Sequence, residues 1–205
     1  MTEKELNNIL THALEGDSWA QNNLAICYHR GTILAQDYKK AMEWYLKAYE
    51  KGDSSAMANI GILYGGGLGV EKNHKTAFAW YQKSADCGNT FGMIRLSEQY
   101  YFGLGVEKNE GRGFELLKKA SDLGDLNAML LLGEKYENGF GVSCDYNLAY
   151  QCYKKCLDGG ISVAKEKLDG LLNKGILPKS SEETSSIGDY TSGTEGKNGT
   201  RPTKK

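Results

Sequence analysis

Glycine recurs every 36 residues along this 205-residue chain, at Gly16, Gly52, Gly88, Gly124 and Gly160. A second glycine series runs through Gly31, Gly67, Gly103, Gly139 and Gly175, and a tyrosine series through Tyr28, Tyr64, Tyr100 and Tyr136, with the same period. A fixed period of this size leaves few architectures open. Each unit is too small to bury its own apolar face, so neighbours must stack into a continuous core.

One unit, from Gly52 to Cys87, reads as a pair of helices. Asp53 is a good N-cap, and Ala56, Ile60 and Tyr64 follow on one stripe of an α-helix. Gly65-Gly66-Gly67 ends that helix and Leu68 to Lys72 forms a loop. Asn73 then caps a second helix carrying Ala77, Trp80, Tyr81 and Ala85. The caps recur in register, as Asp17, Asp53, Asn89 and Asp125 for first helices and Asp37, Asn73, Asn109 and Asp145 for second helices. Ala20, Ala56, Gly92, Ala128 and Ala164 permit close helix approach, with Leu24, Ile60, Leu96, Leu132 and Leu168 filling the space beside them. Residues 2–15 read as a lone second helix, with Thr2 and Glu5 as a capping box, and residues 161–174 as a lone first helix. The expected fold is all-α: an α/α superhelical solenoid of about four helix-pair repeats, closed by a half-repeat at each end and spanning residues 1–177. Residues 178–205 are rich in Ser, Thr and Gly and poor in large apolar side chains, which predicts a disordered tail.

Composition narrows the function. The formal net charge is −1, so no basic stripe suits a nucleic acid. No apolar run is long enough to span a bilayer, and the polar start Met1-Thr-Glu-Lys predicts no signal peptide. Cys27, Cys87, Cys144, Cys152 and Cys156 share no repeat slot and are odd in number, which argues against a disulfide framework and for the reducing cytoplasm. Gly65-Gly66-Gly67-Leu-Gly69 follows a helix and lacks Gly-Lys-Ser/Thr, so helix termination explains it better than phosphate binding. No cofactor is expected.

The unit Ala-x-x-x-Leu-Gly-x-x-Tyr, then Gly-x-Gly-Val, then Ala-x-x-Trp-Tyr-x-Lys-Ala closely resembles the Sel-one-like repeat, a tetratricopeptide-like α/α solenoid family. Gly67-Leu-Gly69-Val70, Gly103-Leu-Gly105-Val106 and Gly139-Phe-Gly141-Val142 carry the loop motif. Ala41-Met-Glu-Trp44-Tyr45-Leu-Lys47-Ala48 and Ala77-Phe-Ala-Trp80-Tyr81-Gln-Lys83-Ser84 carry the second helix. The first repeat departs with Thr32-Ile33-Leu34-Ala35 in the loop, and the third with Leu116-Leu117 for Trp-Tyr and Gly113 for Ala. The resemblance implies a non-catalytic scaffold, adaptor or immunity-type inhibitor, as found in bacterial signalling, host contact, protein quality control and toxin neutralisation. A cysteine-rich subset of the family is linked to β-lactam binding, but its paired-cysteine pattern is missing here.

By analogy with the parent solenoid, first helices line the concave face. The slots expected to point into it hold Trp19, Asn22, Ile26, His29 and Arg30, then Ile62, then Phe91, Ile94, Glu98, Tyr101 and Phe102, then Leu130, Glu134 and Glu137. An aromatic and apolar patch with acidic neighbours suits a protein partner, and the acidity would select a basic partner surface. The alternative is that several of these side chains pack between adjacent first helices. Glu98 and Glu134 share one slot in successive repeats, so they read either as a hydrolytic carboxylate pair or as a solvated acidic face. Cys152 and Cys156, one helical turn apart, read either as metal ligands or nucleophiles, or as small apolar residues; Cys156 stands where Ala48, Ser84 and Ala120 stand in other repeats.

Overall fold

A computed structural model describes residues 2–173. Its described residues form ten helices and no strand: α1 Glu3–Glu15, α2 Ser18–Arg30, α3 Tyr38–Glu50, α4 Ser54–Gly66, α5 His74–Asp86, α6 Thr90–Phe102, α7 Glu110–Asp122, α8 Leu126–Asn138, α9 Tyr146–Asp158 and α10 Val163–Asn173. Each helix packs on the next, and first helices also touch across repeats, as α4 touches α6. This is the all-α solenoid expected from the period. The tail expected at 178–205 lies outside the described residues.

Local chemistry sets every boundary. All eight expected Asp and Asn caps accept a hydrogen bond from the backbone N–H three residues on, and Thr2 with Glu5 closes a complete capping box on α1. The turn between repeats is short because one residue serves two helices. Asp53 caps α4 while its own N–H donates to the Ala48 carbonyl at the end of α3, and Asn89, Asp125 and Ile161 donate in the same way to Ser84, Ala120 and Cys156. The longer loop within a repeat is tied by a bond from the second cap back to the tyrosine series. Asp37, Asn73, Asn109 and Asp145 donate to the carbonyls of Tyr28, Tyr64, Tyr100 and Tyr136 at 2.8–3.0 Å. The first repeat keeps this closure although its loop lacks the Gly-x-Gly-Val motif.

The second glycine of that motif has a structural reason. Gly105 has φ +73°, and a Cβ there would overlap the His74 carbonyl and stand 2.7 Å from the Lys75 nitrogen. Each such loop therefore rests backbone-on-backbone against the start of the preceding second helix, and the motif is an inter-repeat contact as well as a turn.

The core is a column of small and large side chains in register. Ala20, Ala56, Ala128 and Ala164 are buried, as are Leu24, Ile60, Leu96, Leu132 and Leu168 beside them. One slot on the second helices is polar in two repeats and satisfied in both. The Ser84 hydroxyl donates to the Ser54 carbonyl at 2.7 Å, and the Cys156 thiol donates to the Leu126 carbonyl at 3.3 Å. Cys156 is thus a core side chain that ties α9 to the start of α8.

Candidate partner-binding face

Helical periodicity separates the first-helix residues into two sets. Positions 19, 23, 26 and 30 of α2, and their equivalents one period on, face outward along one side of the solenoid. Trp19 is 64% exposed and Phe102 is 72% exposed, both far more than their chemistry favours. Ile26, Ile62 and Phe91 are half-buried on this side, Arg30 is exposed, and Leu130, in the fourth repeat's equivalent of Asn22, is half-buried against the C-terminal core. Ser55 and Asn127 are the polar equivalents of Trp19 in the second and fourth repeats.

The remaining slots turn inward. Asn22, Ile94 and Tyr101 are buried. The Asn22 carbonyl oxygen accepts from the Asn59 amide at 3.1 Å, bonding α2 to α4, and Ile94 and Tyr101 belong to the central apolar cluster. Asn22 thus joins two first helices, as the packing alternative has it, Ile94 and Tyr101 lie in the core, and the exposed aromatic surface rests on Trp19, Phe102 and the half-buried residues around them.

The acidic character expected of the face is offset in part. The Arg95 guanidinium donates to Glu98 at 2.9 Å, Lys167 of α10 reaches Glu134 at 2.6 Å, and Glu137 accepts from the Tyr153 hydroxyl at 2.8 Å. Arg95 and Lys167 occupy the slot of Asn23, which the sequence reading passed over; the period itself marks them as outward-facing neighbours of the glutamates. Two of the three glutamates are thus offset by a cation, and the third accepts from a hydroxyl. Partly exposed pairs of this kind contribute about 0–1 kcal/mol each and chiefly set orientation. The Arg95 guanidinium also stacks over the Phe91 ring, 5.0 Å from its centroid.

Beneath this face runs a second column, formed by a second-helix tyrosine and the first-helix residue it meets. Tyr45 shares a hydrogen bond with His29 Nδ1 at 3.2 Å, and Tyr153 donates to Glu137. In the second repeat Tyr81 meets Gly65 and packs its ring on Gly61. In the third repeat the aromatic changes helix. Leu117 stands in the tyrosine slot, and Tyr101 reaches across from α6 to lie on Gly113, where a Cβ would come within 2.8 Å of the ring. The third second helix is thus closely approached, and Gly113 is the condition for it.

Burial lowers the His29 pKa, with the adjacent Arg30 charge adding to the effect. The unfolded chain takes up that proton near pH 6.5, whereas the folded chain resists it. Stability linked to His29 is therefore complete above about pH 6.5 and declines as pH falls through the histidine range. Thermal melts at pH 7.5 and 5.5 should show a fall in Tm that His29→Gln reduces. An identical fall in both proteins would remove His29 as its source.

The catalytic alternatives find little to work with. Glu98 and Glu134 are each engaged by a cation, and burial pushes the Cys152 thiol up to about 11 and raises that of Cys156. A protonated thiol is a poor nucleophile and a poor metal ligand. Among the described residues no group of three or more His, Cys, Asp or Glu is placed to hold a metal, and no helix is long and apolar enough to cross a membrane.

Comparison with known proteins accords with this geometry. The family model described as Sel1 repeat matches residues 20–53, 54–89, 90–125 and 126–160. Among solved structures, a Sel1 repeat protein from Oxalobacter formigenes is similar at 28% identity and a TM-score of 0.75, over 89% of this chain and 76% of that one. A protective antigen of uropathogenic Escherichia coli strains, displaying an SLR fold, is 29% identical with a TM-score of 0.69. That match covers 88% of this chain but only 38% of the antigen. An immunity protein from Pseudomonas aeruginosa shares the fold at 24% identity and a TM-score of 0.59, over 78% of this chain and 59% of its own. No curated protein matches the chain.

Proposed function

This chain belongs to the Sel1 repeat family, and from that premise we propose that it is a non-catalytic protein-binding module that engages its partner through the first-helix face. The observation that carries this reading is the exposure of Trp19 and Phe102 on a surface that also holds the half-buried Ile26, Ile62 and Phe91. Large aromatics kept in water at a cost are the usual anchors of protein interfaces. The matched Arg95–Glu98 and Lys167–Glu134 pairs suit a polar rim that sets register.

Within that class we favour an adaptor or an immunity-type inhibitor acting in the cytoplasm. The five free cysteines suit a reducing compartment. The Pseudomonas immunity protein has the same fold, which admits a role in neutralising a partner. A hydrolase acting through the groove carboxylates or a cysteine is the weaker reading, because those carboxylates are ion-paired and the Cys152 thiol is held protonated.

The test is position-dependent crosslinking in cells. A photo-crosslinking residue placed at Ser55 or Asn127, on the first-helix face, should capture one defined partner identified by mass spectrometry. The same residue at Leu157, on the exposed side of α9, should not. Equal capture from both sides would place the interface elsewhere.

A further inference from the structure

The second helices carry an aromatic slot that the last two repeats leave without its rings. Trp44 and Trp80 are half-buried there, and each ring lies under a lysine of its own helix, Lys47 at 3.8 Å and Lys83 at 4.3 Å. Tyr49 of α3 adds a second ring, edge-on to Trp80 at 4.9 Å. Two periods on, Cys152 stands in the slot of Trp80 and Ser121 in that of Tyr49. Both line a pocket of about 430 Å³ between α7 and α9, floored by Leu132 and Tyr136 of α8. One period earlier the same slots hold Leu116 and Ala85, and Leu116 lines a pocket of about 410 Å³ between α5 and α7. The stacking lysine persists as Lys119 and Lys155, with no ring under either among the described residues.

The earlier repeats show what such a pocket takes: a flat aromatic ring with an ammonium over its face. The pocket between α7 and α9 is the better candidate, because cysteine replaces less of an indole than leucine does. Lys155 lines it as the cation, and Asp122 lines it as an acceptor for a phenol hydroxyl. Charge narrows the source of the ring. The slot before the stacking lysine changes from Leu46 and Gln82 to the exposed Lys118 and Lys154, so this side turns basic in the third and fourth repeats. Between Lys179 and Lys197 the chain carries Glu182, Glu183, Asp189 and Glu195 and no cation. The one aromatic residue of that acidic stretch is Tyr190.

We propose that Tyr190 of the chain's own C-terminal segment docks in the pocket between α7 and α9, supplying the ring that Trp80 supplies in the second repeat. The ring lies on Leu132 and Tyr136 beneath Lys155, and the flanking carboxylates face Lys118 and Lys154. Reach is ample. α10 packs on α9 and ends at Asn173, and the 17 residues from there to Tyr190 span up to roughly 55 Å when extended, against roughly 20 Å to the far flank of α9. A tether of this kind holds the ring at a local concentration in the millimolar range, so one weakly bound side chain is enough. The low apolar content of residues 178–205 forbids a packed segment but not one buried ring.

The test uses the full chain, labelled for NMR, and needs no partner protein. In the parent the Tyr190 amide should lie away from its random-coil position. Tyr190→Ala should shift the amides of Leu148, Gln151 and Cys152, which line the pocket, and leave those around Trp44 in place. Cys152→Trp, which fills the pocket as the first two repeats do, should return the Tyr190 amide to its random-coil position. Iodoacetamide should modify Cys152 faster in Tyr190→Ala than in the parent, with the exposed Cys87 as internal reference. A random-coil Tyr190 in the parent, or pocket amides and a Cys152 rate unchanged by Tyr190→Ala, would overturn the proposal. Shifts that vanish on dilution would also overturn it, by assigning the ring to a second copy of the chain. If Cys152→Trp fails to fold, Tyr190→Ala decides alone.

Discussion

Gly105→Val should destabilise the solenoid by at least about 3 kcal/mol, combining the strain of a β-branched residue at positive φ with overpacking against rigid backbone. For a chain of this size that corresponds to a fall in Tm of roughly 6–12 °C. The cause is specific to the site. A Cβ at Gly105 would overlap the His74 carbonyl, so α5 must shift away from the loop that follows α6. Gly67→Val provides the contrast: φ is similar at +69°, but the nearest atom is the Lys72 Cβ at 3.0 Å and the nearest backbone atom lies at 3.4 Å, so a shift of a few tenths of an ångström within the loop relieves the contact. That variant should lose about 1 kcal/mol or somewhat more, from backbone strain alone. Equal melting temperatures for the two variants would refute the inter-repeat contact as the reason for the second glycine of the loop motif.

Tyr101→Gly should cost about 3–5 kcal/mol, the range for deleting a buried aromatic, because Leu117 on the facing helix is too short to fill the space. The second repeat solves the same packing problem with the ring on the other helix, using Gly61, Gly65, Ala77 and Tyr81 where the third has Ser97, Tyr101, Gly113 and Leu117. Transplanting that solution, as Ser97→Gly, Tyr101→Gly, Gly113→Ala and Leu117→Tyr together, should recover most of the stability that Tyr101→Gly loses. Residues in contact couple strongly, so recovery beyond the sum of the single effects is the signature of exchange. A quadruple variant no more stable than Tyr101→Gly, measured by denaturant unfolding, would show that the two arrangements are not equivalent.

The period carried most of the fold. Caps such as Asp53 and Asn109 act through hydrogen bonds only three residues long, so their role can be read from the chain without knowing any tertiary contact. The exchange in the third repeat was half visible: Leu117 and Gly113 stood out as departures, but the ring that replaces the missing one lies on another helix. The face was legible in kind and not in detail. Trp19 and Phe102 emerge from periodicity alone. That Asn22 bonds Asn59 and that the Tyr101 ring lies on Gly113 are tertiary contacts, which no local pattern records. The charge balance was missed for the same reason, since the Lys167–Glu134 pair joins helices of different repeats. Gly65 reads as helix termination, and only packing shows that the Tyr81 ring lies on Gly61 with its hydroxyl beside Gly65.

The central claim is that the first-helix face binds a protein through its exposed aromatics. The direct test is the dissociation constant of the crosslinked partner, once purified, for the parent chain and for Trp19→Ala with Phe102→Ala. Both side chains are largely solvent-exposed, so the double variant should melt within a few degrees of the parent and bind about 2–4 kcal/mol more weakly. Leu157→Ala, at an exposed position of the second helix α9, should bind as the parent does. Unchanged affinity in the folded double variant, or an equal loss from Leu157→Ala, would contradict the account.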